Sequence, residues 1–254
     1  MKSEQTDTSP YAKVRFILVE TSQPGNVGAA ARAMKTMGFH QLYIVNPRFA
    51  DVLTHPEAVA FASGATDILA SATIVSDIAE ALEGVVHMAS VSARLREYSP
   101  PVVTPCAFAS HAAALSGDVA VIFGNERYGL PNEIVINSQQ LINIPANPEY
   151  SSLNLAQAIQ VVAYELRQAI TDVSETNTKP AAEILNLPAT AEQIDGMYAH
   201  LQQALVAIGF LDPENPKKLM PRIKRMFARS GLETEEVNIV RGISKKILDK
   251  FNRN

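Results

Sequence analysis

A chain of 254 residues, 47% apolar and 19% charged, has enough apolar material for one large or two modest packed domains. Residues 1–10 are polar with no leader-like apolar run, no stretch is long enough to span a bilayer, the lone Cys106 excludes an intramolecular disulfide, and the five histidines show no paired ligand spacing. The expectation is a cytoplasmic globular protein without a structural metal; its net charge of −4 hides a division, since residues 1–211 hold 11 Lys and Arg against 20 Asp and Glu, whereas 212–254 hold 11 against 6.

Residues 14–20 read as an apolar strand, followed by turn chemistry at 21–25 and a helix on which Val27, Ala30, Met34 and Met37 recur at helical spacing until Gly38 ends it. Asn26 is the expected N-cap of that helix, and Gly28 is expected to let it pack closely on a sheet. Residues 42–45 form the next strand. A helical stretch at 56–62, a strand at 73–75, a short helix at 78–82 and a strand at 85–90 repeat the alternation, which predicts an α/β fold: a mainly parallel sheet with helices on both faces. Residues 95–105, with Pro100, Pro101 and Pro105, are too rich in proline for regular structure and are expected to cross the sheet edge as a loop, a candidate lid. A helix to 115, a strand at 119–123, a loop at 124–131, a strand at 141–144 and a long helix at 153–170, N-capped by Ser151 or Ser152, complete this unit.

The polar segment 172–189 reads as a linker. Beyond it Thr190 and Gln193 form a capping box for a helix closed by Gly209, and helices follow at 217–229 and 235–251, the last with Thr234 as its expected N-cap. The predicted organisation is thus a polar tail (1–13), an α/β domain (14–171), a linker (172–189) and a small all-α domain (190–254). Lys217, Lys218, Arg222, Lys224, Arg225 and Arg229 on the first of the last two helices, extended by Lys245 and Lys246, are candidates for a phosphate-binding patch.

Three stretches stand where strands end. They are Asn-Val-Gly-Ala-Ala-Ala-Arg at 26–32, Phe-Gly-Asn-Glu-Arg-Tyr-Gly-Leu at 123–130, and Ile-Pro-Ala-Asn-Pro-Glu-Tyr-Ser-Ser-Leu-Asn-Leu at 144–155. In an open α/β sheet such loops, with their free N–H groups and helix N-termini, border the ligand crevice. Pro145 and Pro148 prevent the last strand from continuing. The glycine spacings are not the dinucleotide fingerprint, which disfavours a nicotinamide enzyme. Arg32, two turns into its helix, is suited to hold a phosphate or a developing alkoxide, although a surface ion pair would serve equally well as its reason.

Together and in this order, the three stretches resemble the three motifs of the SPOUT class of S-adenosylmethionine-dependent RNA methyltransferases. The likeness runs from 14 to 166 and resumes at 191, and within the class it is nearest to the bacterial tRNA (cytidine/uridine-2'-O-)-methyltransferases. The resemblance implies a trefoil knot in the C-terminal part of the α/β domain, a homodimer, and S-adenosylmethionine as cofactor. It also implies methylation of a ribose 2'-hydroxyl in tRNA, at the pyrimidine of position thirty-two, with the helical tail engaging the tRNA. Such a displacement needs alignment, an outlet for the hydroxyl proton and a slot for the adenosine, and no metal.

The resemblance makes Arg32 the catalytic arginine that assists deprotonation of the hydroxyl. Asn26 would orient Arg32 or the ribose, Glu126 would lie near the catalytic centre across a dimer interface, and Ser151, Ser152 and Asn154 would supply hydrogen bonds near methyl donor and acceptor. Expected cofactor-binding residues are Ser90, Val91, Ser92, Gly124, Gly129, Leu130, Ile144, Ser151, Ser152 and Leu153. Of these, Gly124 and Gly129 admit close backbone approach, while Leu130, Ile144 and Leu153 cover the adenine. The stretch Ala-Ser-Val-Ser-Ala-Arg at 89–94 departs from the Gly-Thr-Ser-Ala-Arg common in relatives, so contacts there are expected through the main chain. A ribosomal-RNA 2'-O-methyltransferase is one alternative; a non-catalytic RNA-binding knot protein is another, opposed by the joint presence of Asn26, Arg32, Glu126 and Asn154.

Overall fold

The structure, a computed structural model, describes residues 9–95, 99–176 and 188–251. The chain alternates β1 (Val14–Val19), α1 (Pro24–Thr36), β2 (Gln41–Val45), α2 (Pro56–Ala62), α3 (Thr66–Ser71), β3 (Thr73–Val75), α4 (Ile78–Ala81) and β4 (Val85–Val91). It continues through β5 (Val102–Val103), α5 (Pro105–Ala114), β6 (Asp118–Phe123), α6 (Asn132–Asn137), β7 (Gln140–Ile142) and α7 (Leu155–Thr176), and ends in α8 (Ala191–Ala207), α9 (Leu219–Ala228) and α10 (Thr234–Phe251). The seven strands form one sheet in the order β3-β2-β1-β6-β4-β7-β5, and every neighbouring pair is parallel.

Parallel strands covered on both faces read as continuous apolar runs, and β1 does so after Arg15. Phe16 and Leu18 point to one layer, packed with Phe39, Phe108, Phe123 and the inner faces of α1, α5 and α7. Ile17 and Val19 point to the other, with Ile122, Leu141, Val135 of α6, Ala81 of α4 and Ala191 of α8. Phe16, Phe39, Phe108 and Phe123 are fully buried, each burial contributing about 1.5–3 kcal/mol. Arg15 interrupts the pattern at the N-terminal edge of the sheet, where Nη2 meets Asp118 Oδ2 at 2.7 Å and Nη1 donates to the carbonyls of Ala81 and Glu83.

Several boundaries differ from expectation for identifiable reasons. Pro24 occupies the first turn of α1, where its missing N–H costs nothing, so the helix is capped at Gln23 and Asn26 lies inside it. Gly28 serves a helix contact rather than a sheet contact, since a Cβ there would sit 2.0 Å from the Ala58 carbonyl oxygen of α2. The proline-rich segment is not wholly irregular: Val102 and Val103 pair with Leu141 and Ile142 at the end of the sheet, the position where prolines are tolerated. Of that segment, residues 96–98 lie outside the described residues. α7 starts at Leu155, two residues later than expected, and runs through Thr176, beyond the expected start of the linker; 177–187 lie outside the described residues.

The last three helices share a core of Ala189, Ile194, Met197, Tyr198 and Val237, with Met220, Ile223, Phe227 and Val240 against it. The predicted capping box of α8 is present in both directions, Thr190 with Gln193. Thr234 is the first residue of α10 rather than its cap, with its hydroxyl near Gln193 Oε1. α8 rests on the sheet, where Glu192 accepts a hydrogen bond from the Gly84 N–H at 2.9 Å. α9, which buries none of its residues, touches α6.

Candidate functional site

A cleft of about 460 Å³ opens beyond the C-terminal ends of β6, β4 and β7, beside the N-terminal turns of α1 and α7. β6 sits between β1 and β4, so the chain leaves adjacent strands toward different parts of the sheet, which is where open α/β sheets hold ligands. Of the residues expected to form a site, Asn26, Val91, Ser92, Gly124, Glu126, Gly129, Ile144, Ser151, Ser152, Leu153 and Asn154 line this one cleft.

Its polar wall is a hydrogen-bond chain that joins all three motif stretches. Glu126 Oε2 accepts from the Ser22 N–H at 3.0 Å and the Ser22 hydroxyl at 2.6 Å, and Oε1 accepts from Asn26 Nδ2 at 2.9 Å. Asn26 Oδ1 accepts in turn from Asn154 Nδ2 at 3.1 Å. Burial by itself would raise the Glu126 pKa, but the hydrogen bonds from Ser22, from Asn26 and from the main chain outweigh it and hold the carboxyl below the usual carboxylate range. The group is therefore an anion at neutral pH with both oxygens engaged.

Asn154 has a second task. Its Oδ1 accepts from the Ala156 N–H at 2.9 Å while its own N–H donates to Gln157 Oε1 at 3.2 Å, so Asn154 caps the first turn of α7 and Gln157 closes back on it. Ser151 and Ser152, the expected caps, are instead exposed on the loop before it. The spacing Asn154-x-x-Gln157 carries this signal in the sequence and outranks the serines.

Asn125 is a residue that the sequence reading passed over. Its Oδ1 accepts from the N–H groups of Arg127 and Tyr128, its Nδ2 donates to the Glu20 carbonyl at 2.6 Å, and its backbone exchanges two hydrogen bonds with Gly129. The loop after β6 is thereby folded back on itself. Gly129 takes φ +72°, and a Cβ on Gly124 would lie 2.3 Å from the Gly129 carbonyl carbon, so both glycines are demanded by the turn itself. The side-chain signal, an asparagine two and three residues before the N–H groups it accepts from, is an ordinary Asx turn.

Three expected site residues are outside the cleft. Ser90 is fully buried, its hydroxyl 2.7 Å from that of Ser138 at the end of α6. Leu130 is buried in the second core layer. Arg32, six positions after Asn26, is exposed on α1 and does not line the cleft. At Ser92 the main chain is already taken, its N–H donating to the Ile142 carbonyl and its carbonyl accepting from Asn143 Nδ2.

Among the tail cations, Lys217, Arg222 and Arg229 are exposed, but Lys224 is turned inward. Its ammonium donates to Asn137 Oδ1 of α6 and stands 5.3 Å from the Tyr198 ring centre, and burial lowers its pKa against the attraction of Asp195 and Glu133. Among the described residues no group of three or more His, Cys, Asp or Glu is placed to hold a metal, and no helix is long and apolar enough to cross a membrane.

The chain matches known proteins over most of its length. The model of the SpoU rRNA Methylase family matches residues 13–164, and that of the tRNA methyltransferase TrmJ C-terminal domain matches 192–254. The chain is 45% identical over 240 residues to the tRNA (cytidine/uridine/adenosine-2'-O-)-methyltransferase TrmJ of Pseudomonas aeruginosa, covering 91% of this chain and 92% of that one. It is 42% identical over 236 residues to the tRNA (cytidine/uridine-2'-O-)-methyltransferase TrmJ of Escherichia coli K12, covering 92% and 94%. Among solved structures, TrmJ from Z. mobilis ZM4 superposes with a TM-score of 0.77 at 31% identity, over 92% of this chain and 98% of that one.

Proposed function

The chain belongs to the SpoU methylase family, in its TrmJ branch, and on that premise we propose that it methylates a ribose 2'-hydroxyl of tRNA in the cytoplasm, at the pyrimidine of position thirty-two. The observation that carries this reading is the chain Ser22–Glu126–Asn26–Asn154, which ties the three motif loops together in a single cleft. The TrmJ-type tail at 192–254 favours tRNA over the ribosomal alternative.

The cleft suits S-adenosylmethionine. Its volume of about 460 Å³ lies in the range of small-molecule sites, Val91, Ile144 and Leu153 offer an apolar cover for an adenine, and the loops at 124–129 and 151–154 offer polar main-chain and hydroxyl groups. When bound, the cofactor supplies an electrophilic methyl group on a sulfonium. The chain's own residues supply alignment. Glu126, held anionic, fixes the Asn26 amide, and Asn26 with Asn154 presents a rigid polar wall toward which a ribose hydroxyl can be oriented. A carboxylate with three donors on it is a poor base, so Glu126 is a positioning residue.

Management of the hydroxyl proton falls to Arg32. Because its exposed place on α1 is outside its own cleft, we assign it to the cleft of a second copy in a homodimer, where its guanidinium would stabilise the developing alkoxide. In the same reading the passage of the chain through 144–155 forms the trefoil knot, 14–171 is the methyltransferase domain, and 190–254 is a separate all-α domain that engages tRNA.

Methyl transfer from labelled S-adenosylmethionine to total tRNA, followed by mapping of 2'-O-methyl positions, tests the reading. Label at position thirty-two is expected. A chain that binds S-adenosylmethionine and labels no tRNA overturns it, and label in ribosomal RNA alone assigns the ribosomal alternative. Sedimentation is expected at about twice the 27.5 kDa chain mass.

A further inference from the structure

The two most exposed large apolar side chains among the described residues, Tyr150 at 79% and Tyr128 at 77%, line the same cleft from different loops. Neither is held out by accident of a loose loop. Tyr128 follows the Asx turn of Asn125, whose Oδ1 accepts from the Tyr128 N–H at 3.2 Å. Tyr150 closes a turn in which its N–H donates to the Asn147 carbonyl at 2.9 Å while Asn147 Oδ1 accepts from the Glu149 N–H. Two aromatic rings are thus kept in water at a cleft mouth by pinned backbone, with no hydrogen bond from either hydroxyl among the described residues.

The cations of the sheet body point to the same place. Among the described residues, Lys13 donates to the carbonyls of Ala113 and Leu115, Arg15 is paired with Asp118, and Lys35 is paired with Asp67. Arg48 lies over Phe49, and Arg167 lies over Tyr11 and donates to the Met37 carbonyl. Arg32, Arg94 and Arg127 remain without a side-chain partner among the described residues, and two of these three line the cleft beside the tyrosines. The acidic group there, Glu126, has both oxygens covered by Ser22 and Asn26.

We propose that Tyr128 and Tyr150 form an aromatic seat for an unstacked nucleobase of the substrate RNA at the mouth of the cleft, with Arg94 and Arg127 meeting the adjacent phosphates. The proposal rests on the RNA-methyltransferase reading. Single-stranded loops are recognised by stacking splayed bases on aromatic side chains, and free guanidinium groups beside the rings answer the phosphate charge. The seat holds a base while the polar wall of Asn26 and Asn154 faces the ribose, so it acts on substrate positioning and not on cofactor affinity.

The test uses the full chain, an anticodon stem-loop RNA carrying pyrrolocytosine at position thirty-two, and the variants Tyr128→Ala, Tyr150→Ala, their double, and Tyr128→Phe and Tyr150→Phe. Wild type is expected to quench the fluorescent base. Each Ala variant should lose most of the quench and raise the tRNA KM about tenfold, each Phe variant should keep both near wild type, and calorimetry should give unchanged S-adenosylmethionine affinity. Unchanged quench and KM in the double Ala variant overturn the proposal, as does conversion of the Ala variants to monomers, which would make the rings a subunit contact. A wild type that methylates tRNA without quenching removes the seat alone. One that quenches but methylates no RNA keeps the seat and removes the enzymatic reading.

Discussion

Around the cleft, Glu126, Asn26, Asn154 and Asn125 are engaged with one another or with nearby backbone, and each is attached to the end of a strand or the first turn of a helix. On α9 and at its two ends, by contrast, Lys217, Arg222 and Arg229 stand exposed, no residue of the helix is buried, and it is held by a small shared core and by Lys224 on Asn137. The difference fits the two jobs proposed for these regions, with Arg32 the one proposed participant in the chemistry that lacks a fixed partner among the described residues. A reacting geometry must be held by groups with fixed partners, whereas attraction of a polyanion needs charges whose partners are still to come.

The most direct challenge to this division is to remove a charge assigned to chemistry. Arg32→Ala is expected to lower kcat by about 10²–10³-fold with S-adenosylmethionine affinity unchanged, as judged by methyl transfer alongside calorimetry. Full activity of the variant would place Arg32 with the tail cations, as a surface charge only.

The opposite end of the sheet supplies a control that touches neither job. His87 is buried against Phe108 and His111, and burial, reinforced by His111, pushes its pKa down to about 4. Its folded pKa lies below the unfolded value of 6.5, so the unfolded chain binds the proton first and stability is lost as pH falls from about 6.5 toward 4. Between pH 7 and 4.5 the loss from this group is roughly 2 kcal/mol, and denaturant midpoints of a His87→Gln variant should depend less steeply on pH over that window.

The tail gives smaller effects. Neutralising Lys217, Arg222 and Arg229 together to Gln is expected to weaken tRNA binding about tenfold and to lessen the slope of log affinity on log salt by about 1 for each phosphate no longer neutralised, with kcat at saturating tRNA retained. Lys224→Met gives the smallest change: it should leave the salt slope untouched and alter stability by no more than about 1 kcal/mol, a few degrees in Tm, because its charge serves the docking of α9 on α6. A salt slope that falls with Lys224→Met would mean that this ammonium reaches RNA after all.

The fold was legible where local chemistry and tertiary position agree. The apolar runs of β1, β4 and β6 sit in a sheet buried on both faces, and the Thr190–Gln193 box opens α8 as its spacing predicts. Misreadings arose where two local signals competed. Pro24 and Asn26 both mark helix starts, and the proline prevailed because it comes first and its fixed φ already suits a first turn. Ser151, Ser152 and Asn154 all cap helices well, and the one with a glutamine three residues on became the cap. Val102 and Val103 were hidden among prolines because edge pairing depends on β7, nearly forty residues later. The cleft residues were recognisable as motifs, but the partnership of Glu126 with Asn26 spans a hundred positions and only the sheet brings it about.

The strand order has a consequence for how the molecule is made. β6 lies between β1 and β4, yet it is synthesised after both. Until Phe123 has left the ribosome, β1 and β4 each present an unfilled edge, β1 for about 5–20 s at ordinary elongation rates of about 5–20 residues per second and β4 for less. Non-local pairing of this kind slows folding and leaves apolar edges open to other chains. Nascent-chain yield should therefore be more sensitive to substitutions in β6 that weaken its insertion, such as Val121→Thr or Ile122→Thr, than the equilibrium stability of the finished protein would suggest.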